Sequence, residues 1–116
     1  MILHLQLKAQ IEKHFSAYLN REIVMKQDAL QFSLTNGVDV EIRYFDPCEY
    51  SVRWVWGEAG LRIDTAPLHH DLKTTPNHLH DMDGQVVNDP LTVHGAEPWS
   101  NVCAVLNAVI KNPALI

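Results

Sequence analysis

Asparagine and glycine stand side by side at positions 36 and 37 between two runs of alternating apolar and polar residues, and this restricts the chain more than any other feature. In Ala29 to Thr35 the apolar set is Leu30, Phe32 and Leu34, and in Val38 to Phe45 it is Val38, Val40, Ile42 and Tyr44. Alternation with period two buries one face of a strand and leaves the other wet. Asn-Gly accepts the positive φ that a type I′ turn requires at both central residues, so the two runs are predicted to form a β-hairpin turning on Asn36-Gly37. The same alternation recurs nearby. After the Asp46-Pro47 break, Tyr50, Val52, Trp54 and Trp56 alternate with Ser51, Arg53 and Val55, and Gly57-Glu-Ala-Gly60 returns the chain into Leu61 to Asp64. Ile23 to Lys26 supplies an earlier strand, turning at Gln27-Asp28, and Gln85 to Val87 is too short to assign. The sum is a meander of about five antiparallel strands, each beside its neighbour in sequence.

Helical periodicity brackets the strands. Leu3, Leu7, Ile11, Phe15 and Tyr18 recur at steps of four and three within Ile2 to Leu19, which sets them in one stripe, and Asn20 is a plausible terminator. His4 and His14 lie near that stripe and read as packing or partly exposed residues. Pro98 and Ser100 mark a second helix start, with Trp99, Val102, Cys103, Leu106, Val109 and Ile110 on one apolar face until Asn112-Pro113. The expected class is α+β: an N-terminal helix, the meander, a histidine-rich loop, and a C-terminal helix that packs with the first on one sheet face.

A chain of 116 residues supports one core, so 1–116 is expected to be a single domain. Nine Lys and Arg against fourteen Asp and Glu give a formal charge of −5, which argues against a broad basic surface that coats nucleic acid. A local patch of Arg43, Arg53, Arg62 and Lys73 is compatible with an acidic remainder. Cys48 and Cys103 form no CxxC pair, so no zinc ribbon or redox motif is signalled. With no basic leader at the start and no apolar run of membrane-spanning length, the expectation is a cytoplasmic protein with reduced thiols and no membrane partner.

Four of the seven histidines fall between Asp64 and Asp83, in a segment broken by Pro67 and Pro76. Imidazole titrates near neutral pH and is the commonest metal ligand, so His69, His70, His78 and His80 with neighbouring Asp residues leave three readings open. Two histidines, one neutral and one protonated, could cleave a phosphodiester, with Arg53, Arg62 or Lys73 stabilising the developing charge. A zinc ion would want three or four ligands at about 2.0 to 2.3 Å, and His78 and His80 would point to the same side of an extended segment; the spacing matches no zinc signature. Alternatively the loop is an ordered cover, with Asp64, Asp71 and Asp81 capping turns. Trp54, Trp56, Trp99 and Tyr50 could stack on a base, but at strand and helix spacing they read as core.

The order Arg62-Ile-Asp-Thr-Ala-Pro, His69-His70, Pro76-Asn-His78-Leu-His80 and Gln85-Val-Val resembles the TumE family, small prokaryotic proteins described as the toxin component of type II toxin–antitoxin systems. The likeness extends to the layout of helix, antiparallel meander, histidine-rich loop and closing helix, and is sharpest over residues 62–87. The family's usual run is roughly Asp-Asn-Ala-Pro-His-His and later Pro-His-His-Lys-His. Asp64, Ala66, Pro67, His69, Pro76, His78 and His80 match in kind, whereas Thr65 stands for asparagine, Leu68 intervenes, Asn77 replaces a histidine and Leu79 a lysine. The resemblance implies a cytoplasmic toxin partnered by a small helix-turn-helix antitoxin and directed at RNA; a second copy of the chain is a further candidate partner.

On this reading a metal-independent ribonuclease would use His69, His78 and His80 with Arg62 as electrostatic helper. Arg53, Lys73 and His70 would bind substrate, and Asp64, Pro67, Pro76 and Asp81 would shape the loop. The alternatives are a non-enzymatic protein-binding module and a His/Asp site for a divalent metal such as zinc. If the loop is catalytic and exposed, His78→Ala and His80→Ala should each abolish growth inhibition with little change in melting temperature; if it is a structural cover, the same changes should lower stability by roughly 1–3 kcal/mol.

Overall fold

A computed structural model describes residues 2–67 and 71–116. Helix α1 (Ile2–Phe15) continues into a 3-10 turn (Ser16–Tyr18), then strands β1 (Val24–Met25), β2 (Leu30–Ser33), β3 (Asp39–Asp46), β4 (Glu49–Trp56), β5 (Ala59–Asp64), β6 (His78–His80) and β7 (Val86–Asn88) precede helix α2 (Pro98–Lys111). The seven strands form one sheet in chain order, every neighbouring pair antiparallel. The class is therefore α+β, as expected. The sheet has seven strands rather than about five because it continues through the histidine-rich segment. His78-Leu79-His80 pairs with β5, and Val86–Asn88 pairs with it in turn. Three-residue strands are too short to show a period, so alternation alone could not reveal them.

The hairpin at Asn36-Gly37 forms with a different turn. Gly37 takes φ 91° while Asn36 does not enter the positive-φ region. The Gly37 amide donates to Leu34 O at 3.0 Å and the Leu34 amide to Val38 O at 2.8 Å, so three residues, not two, make the loop. This is the glycine-bulged hairpin rather than type I′. Asn36 Oδ1 accepts from the Val38 amide at 3.2 Å, and Asn36 Nδ2 donates to Val109 O at 3.1 Å near the end of α2. The turn thus satisfies one of the carbonyls that the helix leaves open.

One sheet face carries Leu30, Phe32, Val40, Ile42, Tyr44, Tyr50, Val52, Trp54, Leu61, Ile63 and Leu79, all buried. Against it pack Leu7, Ile11 and Phe15 of α1 and Val102, Val105, Leu106 and Val109 of α2. Both helices cover the same face. Residues of the other parity, including Glu41, Arg43, Arg53, Arg62, Asp64, His78 and His80, point away from them. Trp54 and Tyr50 belong to the core, as their spacing predicted, while Trp99 is half-buried edge-on to Phe15 and Trp56 is exposed at the end of β4.

His4 is buried, and its Nε2 accepts the Tyr44 amide at 3.0 Å, which fixes the proton on Nδ1. Burial, opposed by Asp28, holds its pKa below the ordinary histidine value of 6.5. The unfolded chain therefore binds a proton that the folded chain refuses. The stabilisation is complete above about pH 6.5 and is lost as pH falls through the lower folded value. Thermal melts between pH 7.5 and 5 should show a fall in Tm on acidification that is shallower in His4→Gln; parallel curves would refute this origin.

Candidate active site

The site is built by pairing β5 with β6. Register sets Arg62 opposite His80 and Asp64 opposite His78, and within each strand one residue separates the two. All four side chains consequently emerge on the sheet face away from the helices, because Ile63 and Leu79 turn into the core. As expected of an extended His-x-His, the two imidazoles share a side, with ring centroids 4.9 Å apart at 69°.

Asp64 is the hub. Its Oδ1 lies 2.8 Å from His78 Nε2 and accepts the Ala66 amide at 3.1 Å, while Oδ2 accepts Arg62 Nε at 2.8 Å and lies 3.6 Å from His80 Nε2. The turn-capping role foreseen for Asp64 is therefore real, but the same carboxylate also joins three functional side chains. Arg62 completes the ring of contacts, with Nη2 3.0 Å from His80 Nε2. An arginine can only donate, so that nitrogen of His80 accepts and its proton resides on Nδ1. His78 is in the opposite situation. Its Nδ1 faces Pro76 O at 3.2 Å and its Nε2 faces the Asp64 carboxylate at 2.8 Å, so both ring nitrogens lie against acceptors.

Exposure separates the members further. The His78 side chain is 2% exposed, Asp64 15%, His80 28% and Arg62 44%, so only His80 and Arg62 present substantial surface to a substrate. The exposed-loop premise of the catalytic expectation fails for His78: both histidines lie in β6, and His78 is buried, with Nδ1 against a backbone carbonyl as the cover reading expects.

Behind β6 a buried polar network fixes where that strand begins. Asn77 Nδ2 shares its two N–H donors among Tyr50 Oη at 2.7 Å, Thr92 Oγ1 at 3.1 Å and Asp89 Oδ2 at 3.2 Å, and the Thr92 hydroxyl donates to Asp89 Oδ2. Asn101 of α2 donates to Tyr44 Oη at 3.0 Å and Val93 O at 2.9 Å. The Tyr44 and Tyr50 rings stack at 4.5 Å, and burial pushes both hydroxyl pKa values above the usual tyrosine range. The network ties the core to the residue immediately before His78.

Arg53 faces Arg62 across β4 and β5 and lines a hollow with Arg62 and His80, so this substrate-binding candidate does adjoin the site. Lys73 is exposed beyond the sheet, its amide bonded to Asn88 Oδ1 at 2.9 Å, and it has no ion pair with the site. Asp81 Oδ1 accepts the Asp83 and Gln85 amides at 3.0 and 2.9 Å and so shapes the β6–β7 turn as expected. Pro67 is exposed past the end of β5; Pro76 follows a cis peptide bond, and its carbonyl meets His78. His69 and His70 lie outside the described residues.

Asp64, His78 and His80 each offer one ligand atom within 4.8 Å of the others, an arrangement open to a divalent cation. Comparison with protein-family models, with curated proteins and with solved structures finds no match to this chain.

Proposed function

We propose that this chain is the toxin of a type II toxin–antitoxin pair and acts in the cytoplasm as a metal-independent ribonuclease. The resemblance over residues 62–87 supports the toxin half. The observation that carries the nuclease half is the half-exposed His80, whose Nε2 is held as an acceptor by an arginine that Asp64 anchors. A general base needs an unprotonated nitrogen within reach of the proton it takes, and a phosphoryl transfer needs a cation beside the charge that develops.

His80 Nε2 takes the proton of a ribose 2′-hydroxyl as the 2′-oxygen bonds to phosphorus. The bond from phosphorus to the 5′-oxygen breaks, and that oxygen takes a proton from water. Arg62 turns from His80 to the phosphoryl oxygens. Asp64 and the buried His78 are positioning residues, because Asp64 holds the guanidinium and His78 holds Asp64.

The test is cleavage of a synthetic RNA in excess chelator, with product ends analysed. Expected are 2′,3′-cyclic phosphate and 5′-hydroxyl ends, at a rate that falls on acidification because a general base must be unprotonated. No cleavage, or cleavage only with added metal, would overturn the reading. A second, falling limb at higher pH would report a general acid, for which the sequence names His69; its loss in His69→Ala would assign it. The toxin half expects growth inhibition on overexpression and co-purification with a small co-encoded helix-turn-helix protein.

A second reading rests on the convergence of Asp64, His78 and His80. One carboxylate and two imidazoles suit zinc, but Arg62 donates to the carboxylate and lies against His80, so a cation would have to displace the guanidinium. Zinc that raises Tm, reversed by chelator, would favour this reading.

A further inference from the structure

The row of paired residues that crosses the open sheet face reads Glu41, Arg53, Arg62, His80. Two arginines directly opposite on neighbouring strands are unfavourable by themselves, since like charges at a cross-strand pair repel. Arg62 has Asp64 as counter-ion, whereas Arg53 makes no close ion pair among the described residues: Glu41 opposite it feels its charge but pairs directly with Arg43. Beside this pair the face is hollowed. Gly60 is the register partner of Val55, and a Cβ placed on it would meet nothing within 4 Å. The hollow it floors is about 310 Å³, walled by Arg53, Val55, Arg62 and His80. That is the lower end of the ~300–1,000 Å³ common for small-molecule sites, room for one small ligand and not for a folded partner.

From these two observations, the arginine pair with Arg53 outside any close ion pair and the open floor beside it, we infer that the hollow seats one nucleotide. Its phosphate lies between Arg53 and Arg62, where planar guanidinium groups can each offer two donors to phosphate oxygens. Its ribose or base lies over Gly60 against the Val55 side chain. Because His80 forms one wall, the seat would hold the nucleotide adjoining the phosphate to be cleaved. The inference deepens the ribonuclease reading and rests on it for that last assignment, but the binding itself does not require cleavage.

The experiment uses uridine 3′-monophosphate, which the proposed reaction cannot cleave, titrated into the full chain by calorimetry, with uridine and inorganic phosphate in parallel. Expected is binding of the nucleotide that exceeds either fragment. Arg53→Gln should weaken it by about tenfold or more, the effect of losing a charge-assisted contact of about 1.5–3 kcal/mol. Gly60→Leu should weaken it comparably by filling the hollow, with Tm maintained because Gly60 has extended backbone and open space around it. Nucleotide affinity within twofold of wild type in both variants, or no binding to wild type, would overturn the seat. So would equal affinity for phosphate and nucleotide, because the hollow would then contribute nothing. Binding with these dependences but without RNA cleavage would leave the seat standing and remove the nuclease; cleavage with an unchanged KM in Gly60→Leu would do the reverse.

Discussion

His80→Ala should abolish RNA cleavage and leave the fold nearly untouched, whereas His78→Ala should lower both activity and stability. Loss of a general base costs roughly 10²–10⁴-fold in rate. His80 is partly exposed at a short strand, so its truncation should change stability by about 0.5 kcal/mol or less. His78 is buried, with ring nitrogens at Asp64 Oδ1 and Pro76 O. Its removal strips a partner from a carboxylate that is itself mostly buried, which should cost roughly 1–3 kcal/mol. Its activity loss should follow through misplacement of Arg62, so Asp64→Asn, which keeps the shape and removes the charge, should reproduce the activity loss of His78→Ala. Urea denaturation beside cleavage assays checks the separation. Equal stability losses in the two histidine variants would show that burial does not distinguish them, and a fully active His80→Ala would remove the proposed base.

Much of this arrangement was legible in the residues, including some that the hairpin turn obscured. Leu30, Phe32 and Leu34 share parity with Val38, Val40 and Ile42, so a pairing that puts both sets on one face must join even positions to even. A two-residue turn on Asn36-Gly37 would pair Leu34 with Asp39 and set a leucine beside an aspartate. The observed pairs, Phe32 with Val40 and Ser33 with Asp39, obey the pattern and require a loop of odd length. The dipeptide marked the place of the turn, and the register chose its type.

The site had a comparable signal. Arg62-x-Asp64 and His78-x-His80 have the same spacing, which on two paired strands aligns the four side chains on one face. Reading the second pair as loop hid that match. The buried network was less legible, because Asn77, Asp89, Thr92 and Asn101 come from separate segments and are polar. Local patterning sends such residues to the surface, and only the fold brings them to the hydroxyls of Tyr44 and Tyr50.

Trp54→Ala should be the most destabilising single change described for this chain, at roughly 3–5 kcal/mol. Trp54 is fully buried in β4, between Val40 and Leu61, at the middle of the face that both helices cover. Its indole Nε1 also donates to Pro113 O at 2.8 Å, which pins the chain just after α2. Truncation therefore removes the largest fully buried side chain, leaves a cavity between sheet and helices, and strips a carbonyl of its donor. Against a net stability of about 5–15 kcal/mol for an ordinary domain, such a loss leaves little margin. Trp54→Phe separates the contributions, since it keeps most of the ring and deletes the donor. The lost hydrogen bond should account for about 1 kcal/mol, with the smaller ring adding a packing loss. Urea denaturation gives both values, and amide exchange beyond Pro113 should quicken in Trp54→Phe if the indole pins that segment. A loss below about 2 kcal/mol in Trp54→Ala would mean that the layers close over the gap, far below what truncation of a packed core aromatic costs, and would displace Trp54 from the centre of the core.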